Sequence, residues 1–348
     1  MIKVVHLVDD MSLGGVTRMV SHLAEAPALA AQTRQEVRPV SRDAWRAPML
    51  EADVIVSHIT PGWRALPFLT ALRACHPGVC IVHVEHSYSE GFAQENVPAP
   101  GRFQAMLRAS YAMADRVVAV SRAQADWLSR AGAAPARKLR VIAPSVDLAP
   151  FLAVAPRPSD APARRIGLIG RLARQKGFDT AVQAFQRIAP RYGDASLHIF
   201  GAGPEEPALR RMAHGAPQIL FHGETRNPAA AIGACDLVAL PSRWEPFGVV
   251  ALEARAASRP TLCAAVDGLN DHIEDGAVRV SAAGDSAVDA WAEAFSAALA
   301  RPPAPADLMR TRSRAKATAA RFVEDWRGLF EASLSPSPAW GDAQFDAA

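Results

Sequence analysis

The chain of 348 residues is long enough for two domains, each with its own hydrophobic core. Half of the residues are hydrophobic and 21% are charged, which excludes a disordered chain, a collagen-like repeat and a disulfide scaffold. The formal net charge of +3 is too small to indicate a dedicated nucleic-acid-binding protein.

The first half alternates short β-branched runs with Ala- and Leu-rich amphipathic stretches, which predicts a doubly wound parallel α/β sheet. Two of the stretches, Val16–Ala28 and Arg122–Ala131, are predicted helices. The predicted strands are Lys3–Val8, Asp53–Ser57, Cys80–Glu85, Arg116–Val120 and Leu139–Ile142.

Residues 148–163 contain four prolines, which break any helix or central strand, and we place the domain linker there. Afterwards the pattern restarts, so a second α/β sheet facing a ligand cleft is expected, with ligands at the carboxyl ends of the strands. The predicted strands of this half are Arg165–Ile169, Leu197–Phe200, Ile219–Phe221, Leu237–Leu240 and Thr261–Cys263.

The predicted organisation is therefore an N-terminal domain over residues 1–150 and a C-terminal domain over 151–310. The break at Arg301–Pro305 precedes a predicted helix, Asp307–Ser333. Residues 335–348 are small and polar, and we expect them to be disordered.

The four cysteines form no C-x-x-C pair and are predicted to be reduced thiols of a cytoplasmic protein. The N-terminal apolar stretch is too short for a signal peptide, and no window approaches the roughly 20 apolar residues that span a bilayer. Contact with lipid is therefore at most peripheral.

A glycine and cation segment follows the predicted strand Arg165–Ile169. Gly170 allows the backbone to approach a ligand closely, and Arg171 and Lys176 can bind phosphates. An ordinary solvated loop with surface cations is the alternative. The segment is not a P-loop, because the Gly-x-x-x-x-Gly-Lys-Ser/Thr pattern is absent.

Gly201 and Gly203 follow another predicted strand and form half of a dinucleotide fingerprint, with Glu206 at the third glycine position. A tight strand-to-helix turn explains the pair equally well.

The segment Leu240–Glu253 carries the strongest signal. Glu245 lies in a predicted loop, a helix is predicted to begin near Gly248, and Glu253 lies one to two turns into it. Backbone N–H groups at a helix N-terminus suit a diphosphate. A carboxylate further along can accept hydrogen bonds from ribose hydroxyls. Two solvated glutamates are the bland alternative.

The spacing Glu245-x7-Glu253, with Phe247-Gly248 between, resembles the signature of retaining glycosyltransferases of family 4, group 1. These enzymes have the GT-B fold, two Rossmann-like domains facing a cleft, and the resemblance covers most of the chain. The other matching segments are Gly14-Gly15, Val118–Ser121, Val146-Asp147, Gly170-Arg171, Lys176-Gly177, Phe221–Gly223, Leu240–Ser242 and the helix with Trp326, which resembles the segment that returns to the N-terminal domain (311–334).

The resemblance implies a role for each matching residue. Arg171 and Lys176 would bind the donor diphosphate, and Glu245 would contact the donor hexose as a nucleophile or as a binding group. His86 would lie beside the donor sugar, and Glu253 would hold the ribose. The remaining donor-binding candidates are Gly14, Gly15, Gly201, Gly203, Ser242, Phe247, Gly248 and Val249.

The resemblance implies neither a cofactor nor a metal. No Asp-x-Asp, the metal–diphosphate ligand of the other large glycosyltransferase fold, occurs in the chain. His83 and His86 are three residues apart, and on or beside a strand this spacing favours one packed and one accessible histidine over a metal pair.

The chain departs from the family pattern at three places. Pro144-Ser145 stands where Asn-Gly is frequent, and Val266–Asp271 replaces a Gly-Gly-x-Pro-Glu loop. Ser258-Arg259 precedes Pro260 where a glycine is usual. The first two departures affect the expected donor contacts and sugar identity.

The segment Pro61–Pro77 contains Trp63, Leu66, Phe68, Leu69 and Leu72 together with Arg64 and Arg73. A basic amphipathic helix can lie on an anionic membrane surface. Packing of Leu66, Leu69 and Leu72 against the sheet is the favoured alternative.

The resemblance therefore implies a retaining, metal-independent transferase. It would move a hexose from a nucleotide-diphosphate sugar, with UDP favoured over GDP, to a hydroxyl of a glycan or polyprenyl-linked glycan in bacterial surface or exopolysaccharide synthesis. A nucleotide-sugar epimerase on the same fold and a non-catalytic nucleotide-sugar-binding protein are the rivals. A dehydrogenase is disfavoured, because neither half has a full Gly-x-Gly-x-x-Gly followed by an acid.

Overall fold

A computed structural model describes residues 1–12, 14–156, 163–281, 286–301 and 303–334. The chain divides into two compact units. Unit 1 contains Met1–Tyr88, Asn96–Val146 and Ala320–Ala348, and unit 2 contains Ser89–Glu95 and Asp147–Ala319. The change of unit after Val146 lies close to the limit drawn from the sequence, whereas the placement of Ser89–Glu95 in unit 2 was not foreseen. The tail predicted to be disordered, 335–348, lies outside the described residues.

Unit 1 contains a six-stranded parallel sheet with helices between the strands. Its strands are β1 (Ile2–Val8), β2 (Thr33–Pro39), β3 (Val54–Ser57), β4 (Cys80–Glu85), β5 (Arg116–Ala119) and β6 (Leu139–Val141). The strands are arranged in the order β2-β1-β3-β4-β5-β6. The helices in this part of the chain are α1 (Gly15–Ala24), α2 (Pro27–Ala30), α3 (Leu66–Cys75), α4 (Glu90–Asn96), α5 (Pro100–Ala112) and α6 (Arg122–Arg130), of which α4 belongs to unit 2 up to Glu95.

Unit 2 contains a second six-stranded parallel sheet. Its strands are β7 (Arg165–Ile169), β8 (Ser196–Phe200), β9 (Ile219–Gly223), β10 (Leu237–Leu240), β11 (Thr261–Ala264) and β12 (Val278–Val280). They are arranged in the order β12-β11-β10-β7-β8-β9. The helices are α7 (Ala149–Leu152), α8 (Phe178–Ile188), α9 (Glu206–Met212), α10 (Pro228–Gly233), α11 (Val249–Ala256), α12 (Leu269–Glu274), α13 (Ala287–Ala300) and α14 (Pro305–Ser333), which from Ala320 onward belongs to unit 1.

The two parallel sheets confirm the predicted fold class, and every strand predicted from the sequence is present within one residue or two at its ends. Two strands were missed, β2 and β12, and both lie at a sheet edge. The sequence of β2, Thr-Arg-Gln-Glu-Val-Arg-Pro, is mostly polar. Such a strand lacks the continuous apolar run that marks strands buried on both faces.

Two helix predictions need correction. The helix expected over Val16–Ala28 ends at Ala24, and a separate one-turn helix begins at Pro27. Proline lacks the N–H that a continuous helix needs and clashes with the preceding turn, so it starts the second helix. The proline-rich linker also contains one helical turn, α7, with Pro150 in its first turn, where proline is tolerated. Linker residues 157–162 lie outside the described residues.

Each sheet contains one point at which the strand order reverses. In unit 1 the chain moves from β1 to β2 on one side and then returns to place β3 on the other side of β1. In unit 2 it moves from β7 through β8 to β9 and then places β10 on the other side of β7. Ligands of open α/β sheets bind at such switch points, outside the carboxyl ends of the strands.

The apolar face of α3 is part of the core of unit 1. Phe68, Leu69 and Leu72 are buried in one cluster with Leu7 and Ile55 of the sheet. Packing on the sheet therefore accounts for the apolar character of this face, which agrees with the favoured alternative to membrane contact for Pro61–Pro77. Among the described helices, none combines the length and the apolar character required to span a bilayer.

Candidate functional site

Two loops of unit 2 flank its switch point, one after β7 and one after β10. The Arg243 amide donates a hydrogen bond to the Gln175 carbonyl at 2.8 Å. The Gln175 side-chain amide donates to the Trp244 carbonyl at 3.2 Å. These bonds run between the segment that carries Lys176 and the segment that carries Glu245. The two strongest sequence motifs of this half therefore form one surface.

Arg243 fixes the second loop to the start of α8. Its guanidinium donates two hydrogen bonds to the Asp179 carboxylate, at 2.9 and 2.7 Å, and a third to the Arg174 carbonyl at 2.8 Å. Burial alone would raise the pKa of Asp179, but the hydrogen bonds from Arg243 hold that pKa below its ordinary value. Paired guanidinium–carboxylate bonds of this type are strong and directional, so the relative position of the two loops is well fixed.

Close backbone approach requires glycine at several positions of unit 2, among them Gly177 and Gly201. Gly177 has a φ of +63°, and a Cβ at this position would lie 2.0 Å from the Pro241 carbonyl oxygen. Gly201 follows β8 with a φ of +143°, and its Cβ would lie 1.9 Å from the Gly170 carbonyl oxygen. The contacts bring the loops after β7, β8 and β10 together. This packing explains Gly201 as part of a tight strand-to-helix turn, which was the alternative to a ligand-binding role. A contact between Gly201 and a donor stays a prediction.

Lys176, Ser242 and Glu245 form the polar centre of this surface. The Lys176 ammonium makes an ion pair with Oε2 of Glu245, and the Ser242 hydroxyl donates to the same oxygen at 3.3 Å. The side chain of Lys176 is 22% exposed and that of Glu245 is 9% exposed. The pair is therefore close to solvent on its cationic side and sheltered on its anionic side.

The backbone of Glu245 is held by the loop after β11. The Asp267 carboxylate accepts hydrogen bonds from the amides of Glu245 and Gly91, at 3.0 and 2.9 Å, and from the Ser89 hydroxyl at 2.8 Å. The Gly268 amide donates to the Glu245 carbonyl at 3.0 Å. Burial raises the pKa of Asp267 above its ordinary value, while the hydrogen bonds from Gly91 and Ser89 lower it.

Asp267 is a residue that the sequence analysis did not single out for a function. It lies in the segment Val266–Asp271, which appeared there as a departure from the family pattern. The three groups that donate to the Asp267 carboxylate are separated from it by 22 residues or more along the chain, so no local pattern could have connected them.

The helix α11 begins beside this centre. Gly248 precedes it with a φ of +93°, and Phe247 is buried. The free N–H groups of the first turn and the aligned peptide dipoles give such an end a partial positive charge. Glu253 lies within α11 and is fully buried, whereas Arg171, in the loop after β7, is exposed.

The candidates of unit 1 lie near the switch point of its own sheet. Gly14 is the residue before α1 and Gly15 its first residue, and both are exposed. His86 follows β4 and is half-buried. Nε2 of His86 lies 2.9 Å from Nδ1 of His58. His83 is buried and packs on Tyr111, with ring centroids 5.3 Å apart. The two histidines thus differ in exposure as expected.

Within the described ranges, no group of three or more His, Cys, Asp or Glu side chains has the geometry to hold a metal ion.

The four cysteines are free thiols, and two of them are buried. Burial raises the pKa of the Cys235 and Cys263 thiols to about 12.

Two family models match the chain. The family model described as "Glycosyltransferase Family 4" matches residues 24–150, and the model described as "Glycosyl transferases group 1" matches residues 163–301. The chain belongs to the group 1, family 4 glycosyltransferases.

A curated relative resembles the chain over about two thirds of its length. A D-inositol 3-phosphate glycosyltransferase of Xylanimonas cellulosilytica is 32% identical over 71% of this chain. The match spans 63% of that relative's own length, which is less than two thirds.

Two solved structures share the fold of this chain. Anabaena Alr3699/HepE, solved in complex with UDP and glucose, superposes with a TM-score of 0.69 at 18% identity, over 95% of this chain and 100% of that chain. Sucrose-phosphate synthase from Thermosynechococcus elongatus superposes with a TM-score of 0.73 at 20% identity, also over 95% and 100%. These likenesses establish the GT-B fold.

In this family member, unit 2 brings Lys176, Ser242 and Glu245 into direct contact and places Gly248 beside them. Arg171 and Glu253 lie in the same unit, and Gly14, Gly15 and His86 lie in unit 1. The individual roles that the resemblance implies for all of these residues stay predictions.

Proposed function

We propose that the chain transfers a hexose from a nucleotide-diphosphate sugar to a hydroxyl group of an acceptor. The donor would bind on unit 2, at the switch point between β7 and β10. The observation that carries the proposal is the contact of Lys176, Ser242 and Glu245 beside the N-terminus of α11. Membership of a glycosyltransferase family supports the reaction class.

The leaving group explains why these residue types suit the site. A nucleoside diphosphate leaves as a stable anion, so it needs nearby positive charge more than a proton. An ammonium has three N–H donors, and Lys176 can therefore keep its bond to Glu245 while donating to a phosphate oxygen. The exposed Arg171 and the first-turn amides of α11, beginning at Val249, supply further positive charge.

The sugar and ribose ends of the donor would be bound by carboxylates. We propose that Glu245 contacts the hexose near its reacting carbon, either as a nucleophile or as a stabilising charge for an oxocarbenium-like transition state. Glu253 would accept hydrogen bonds from the ribose. Because Glu253 is fully buried, a ribose would reach its carboxylate only after neighbouring side chains move. For unit 1, contacts of His86 with the hexose and of Gly14 and Gly15 with the phosphates belong to the same proposal.

We further propose that transfer retains the anomeric configuration, needs no metal ion and uses a UDP-sugar. The complex of Anabaena Alr3699/HepE with UDP and glucose supports the choice of base. The acceptor would be a hydroxyl of a glycan or lipid-linked glycan in bacterial surface polysaccharide synthesis. The relatives named D-inositol 3-phosphate glycosyltransferases add inositol phosphates to the acceptors that deserve screening.

The first experiment is a thermal-shift panel with UDP, GDP, ADP, dTDP and NAD. A ligand at a hundredfold excess over its dissociation constant stabilises the folded state by about 2.7 kcal/mol. We expect a clear shift with UDP. A shift with NAD alone would contradict the proposal and favour a dehydrogenase, and no shift with any nucleotide would favour a non-catalytic role.

The second experiment compares Lys176→Ala with Lys316→Ala, which removes an exposed lysine of α14. Loss of one preorganised charge at a leaving group is expected to lower kcat by about 10²–10³-fold, whereas the control should retain full activity. Wild-type activity in Lys176→Ala would refute the account of the leaving group. The products are analysed by NMR, because release of UDP without any acceptor would favour the rival epimerase.

A further inference from the structure

Three histidines of unit 1 form a continuous hydrogen-bonded array that the family comparison does not assign. His6 lies on β1, His58 directly follows β3, and His86 directly follows β4. Nδ1 of His6 lies 3.0 Å from Nε2 of His58, and Nδ1 of His58 lies 2.9 Å from Nε2 of His86. The three strands are neighbours in the sheet, which brings together residues separated by 52 and 28 positions in sequence.

The rings are nearly coplanar with their neighbours, as in-plane N–H···N bonds require. The interplanar angle is 18° between His6 and His58, and 25° between His58 and His86. His6 and His58 are buried, and His86 is half-buried. The array therefore runs from the interior of the unit toward its surface at the carboxyl end of β4.

Gln35 on β2 gives the array a direction. Its side-chain nitrogen donates to the Leu23 carbonyl at 3.2 Å, and its oxygen lies 2.9 Å from Nε2 of His6. Since the carbonyl of Leu23 can only accept, the amide nitrogen must face it, and the amide oxygen must face His6. Nε2 of His6 therefore carries a proton and donates it.

The remaining protons follow from the chemistry of neutral imidazole, in which one nitrogen donates and the other accepts. Nδ1 of His6 must accept from Nε2–H of His58, and Nδ1 of His58 must accept from Nε2–H of His86. Nδ1 of His86 is then left as a hydrogen-bond acceptor.

We propose that Gln35, His6 and His58 are positioning residues that hold His86 as its Nε2–H tautomer, so that Nδ1 of His86 accepts a hydrogen bond from a sugar hydroxyl. The second part rests on the proposed function, in which His86 contacts the donor sugar. Because Nδ1 of His86 is an acceptor, the array favours a hydrogen-bond donor such as a hydroxyl group at this position. It disfavours a group that can only accept, such as a carboxylate.

The electrostatic surroundings keep the array neutral. Burial lowers the pKa of His6 and of His86 to about 4, and it lowers the pKa of His58 well below the ordinary value. Glu85 raises and His83 lowers the pKa of His86, both from β4. Asp9, which follows β1, is a further carboxylate here and accepts from the Thr60 amide at 3.0 Å. An added proton would convert Nδ1 of His86 from an acceptor into a donor.

The tautomers can be read directly by long-range ¹H–¹⁵N correlation spectra of the full chain labelled with ¹⁵N-histidine, at about pH 7.5. We expect a protonated Nε2 and an unprotonated Nδ1 for His6, His58 and His86, with signals assigned from single His→Gln variants. A protonated Nδ1 at His86 would overturn the proposal. This readout requires no activity, so it is decided even if the proposed function is wrong.

Variants of Gln35 test the effect on transfer. Gln35→Met removes the acceptor for His6 at a half-buried edge position, and we expect the His6 and His86 nitrogen signals to shift and kcat/KM for the donor to fall about tenfold. Gln186→Met is the matched control, because Gln186 is a half-buried glutamine of unit 2 that also donates to a backbone carbonyl. It should leave both readouts unchanged.

Gln35→Glu provides the conservative test. A carboxylate still accepts from Nε2–H of His6, so the tautomers at neutral pH should be kept and activity restored. Its charge favours a protonated array, so the acidic limb of kcat/KM should move to higher pH by about one unit. A purely structural role of Gln35 predicts no such shift, and an unchanged limb would count against the proposal.

The link to His86 is tested in a double-mutant cycle. If the array acts through His86, Gln35→Met should cause no further loss of kcat/KM in the His86→Ala background. Full additivity, or a fully active His86→Ala variant, would overturn the second part of the proposal. A wild-type chain without transfer activity would instead contradict the proposed function, and the spectra would still decide the tautomer.

Discussion

Replacement of Gly177 by alanine offers the sharpest test of how the two loops of unit 2 meet. The backbone at Gly177 is left-handed, with a φ of +63°. A residue with a Cβ loses about 1–2 kcal/mol in this conformation, so Gly177→Ala destabilises unit 2 even before any collision is considered.

The collision adds to that cost. A Cβ at Gly177 would lie 2.0 Å from the Pro241 carbonyl oxygen. The backbone of one of the two loops must therefore move by roughly 1 Å or more to restore an ordinary van der Waals distance. Such a movement breaks the bonds of Gln175 to the Arg243 amide and to the Trp244 carbonyl. Each hydrogen bond contributes about 1 kcal/mol net. The expected loss for Gly177→Ala is therefore about 3–4 kcal/mol.

Gly215→Ala is the matched control within the same unit. Gly215 also has a positive φ, +80°, but a Cβ there would meet nothing within 4 Å. Only the conformational cost applies, about 1–2 kcal/mol. For a domain of this size, 1 kcal/mol lowers Tm by about 2–4 °C, so we expect Gly177→Ala to melt several degrees below Gly215→Ala.

The assay is thermal unfolding of both variants, with and without UDP. Because Gly177 adjoins Lys176, we also expect weaker UDP binding in Gly177→Ala and unchanged binding in Gly215→Ala. Equal Tm values for the two variants would refute the close approach of the loops after β7 and β10.

Three further outcomes are expected. Stability should fall as pH decreases from about 7.5 to 5.5, because His6 and His86 have a pKa of about 4 in the folded state. The unfolded chain therefore binds more protons in this range, at a cost of about 1 kcal/mol for each histidine, and equal urea midpoints at both pH values would contradict this. Asp267→Ala removes the acceptor of the Glu245 amide, the Gly91 amide and the Ser89 hydroxyl, so we expect a lower Tm and weaker UDP binding. Asp267→Asn keeps one side-chain oxygen and should restore part of both. Excess EDTA should leave transfer activity unchanged, and a loss that Mg²⁺ reverses would show that a metal is required.

The fold was largely accessible from local patterns. Ten strands were predicted because short β-branched runs bounded by turn residues are typical of strands. The edge strand β2 was missed because its sequence is mostly polar, and β12 was missed because its three residues, Val-Arg-Val, are too few to show a periodic pattern. The break of the first helix at Pro27 was visible in the sequence, but the apolar periodicity on both sides of it obscured the break.

Local patterns in the chain are enough to indicate the family, the two α/β sheets and the candidates Lys176, Glu245 and Glu253, because each belongs to a contiguous motif with a fixed spacing. The contacts between side chains depend on the folded chain. Asp267 reached the Glu245 backbone, and Gln35, His6, His58 and His86 joined into one array, because parallel strands distant in sequence are neighbours in the sheet. Hydrogen bonds of this kind depend on strand order and register, which no local pattern in the chain encodes.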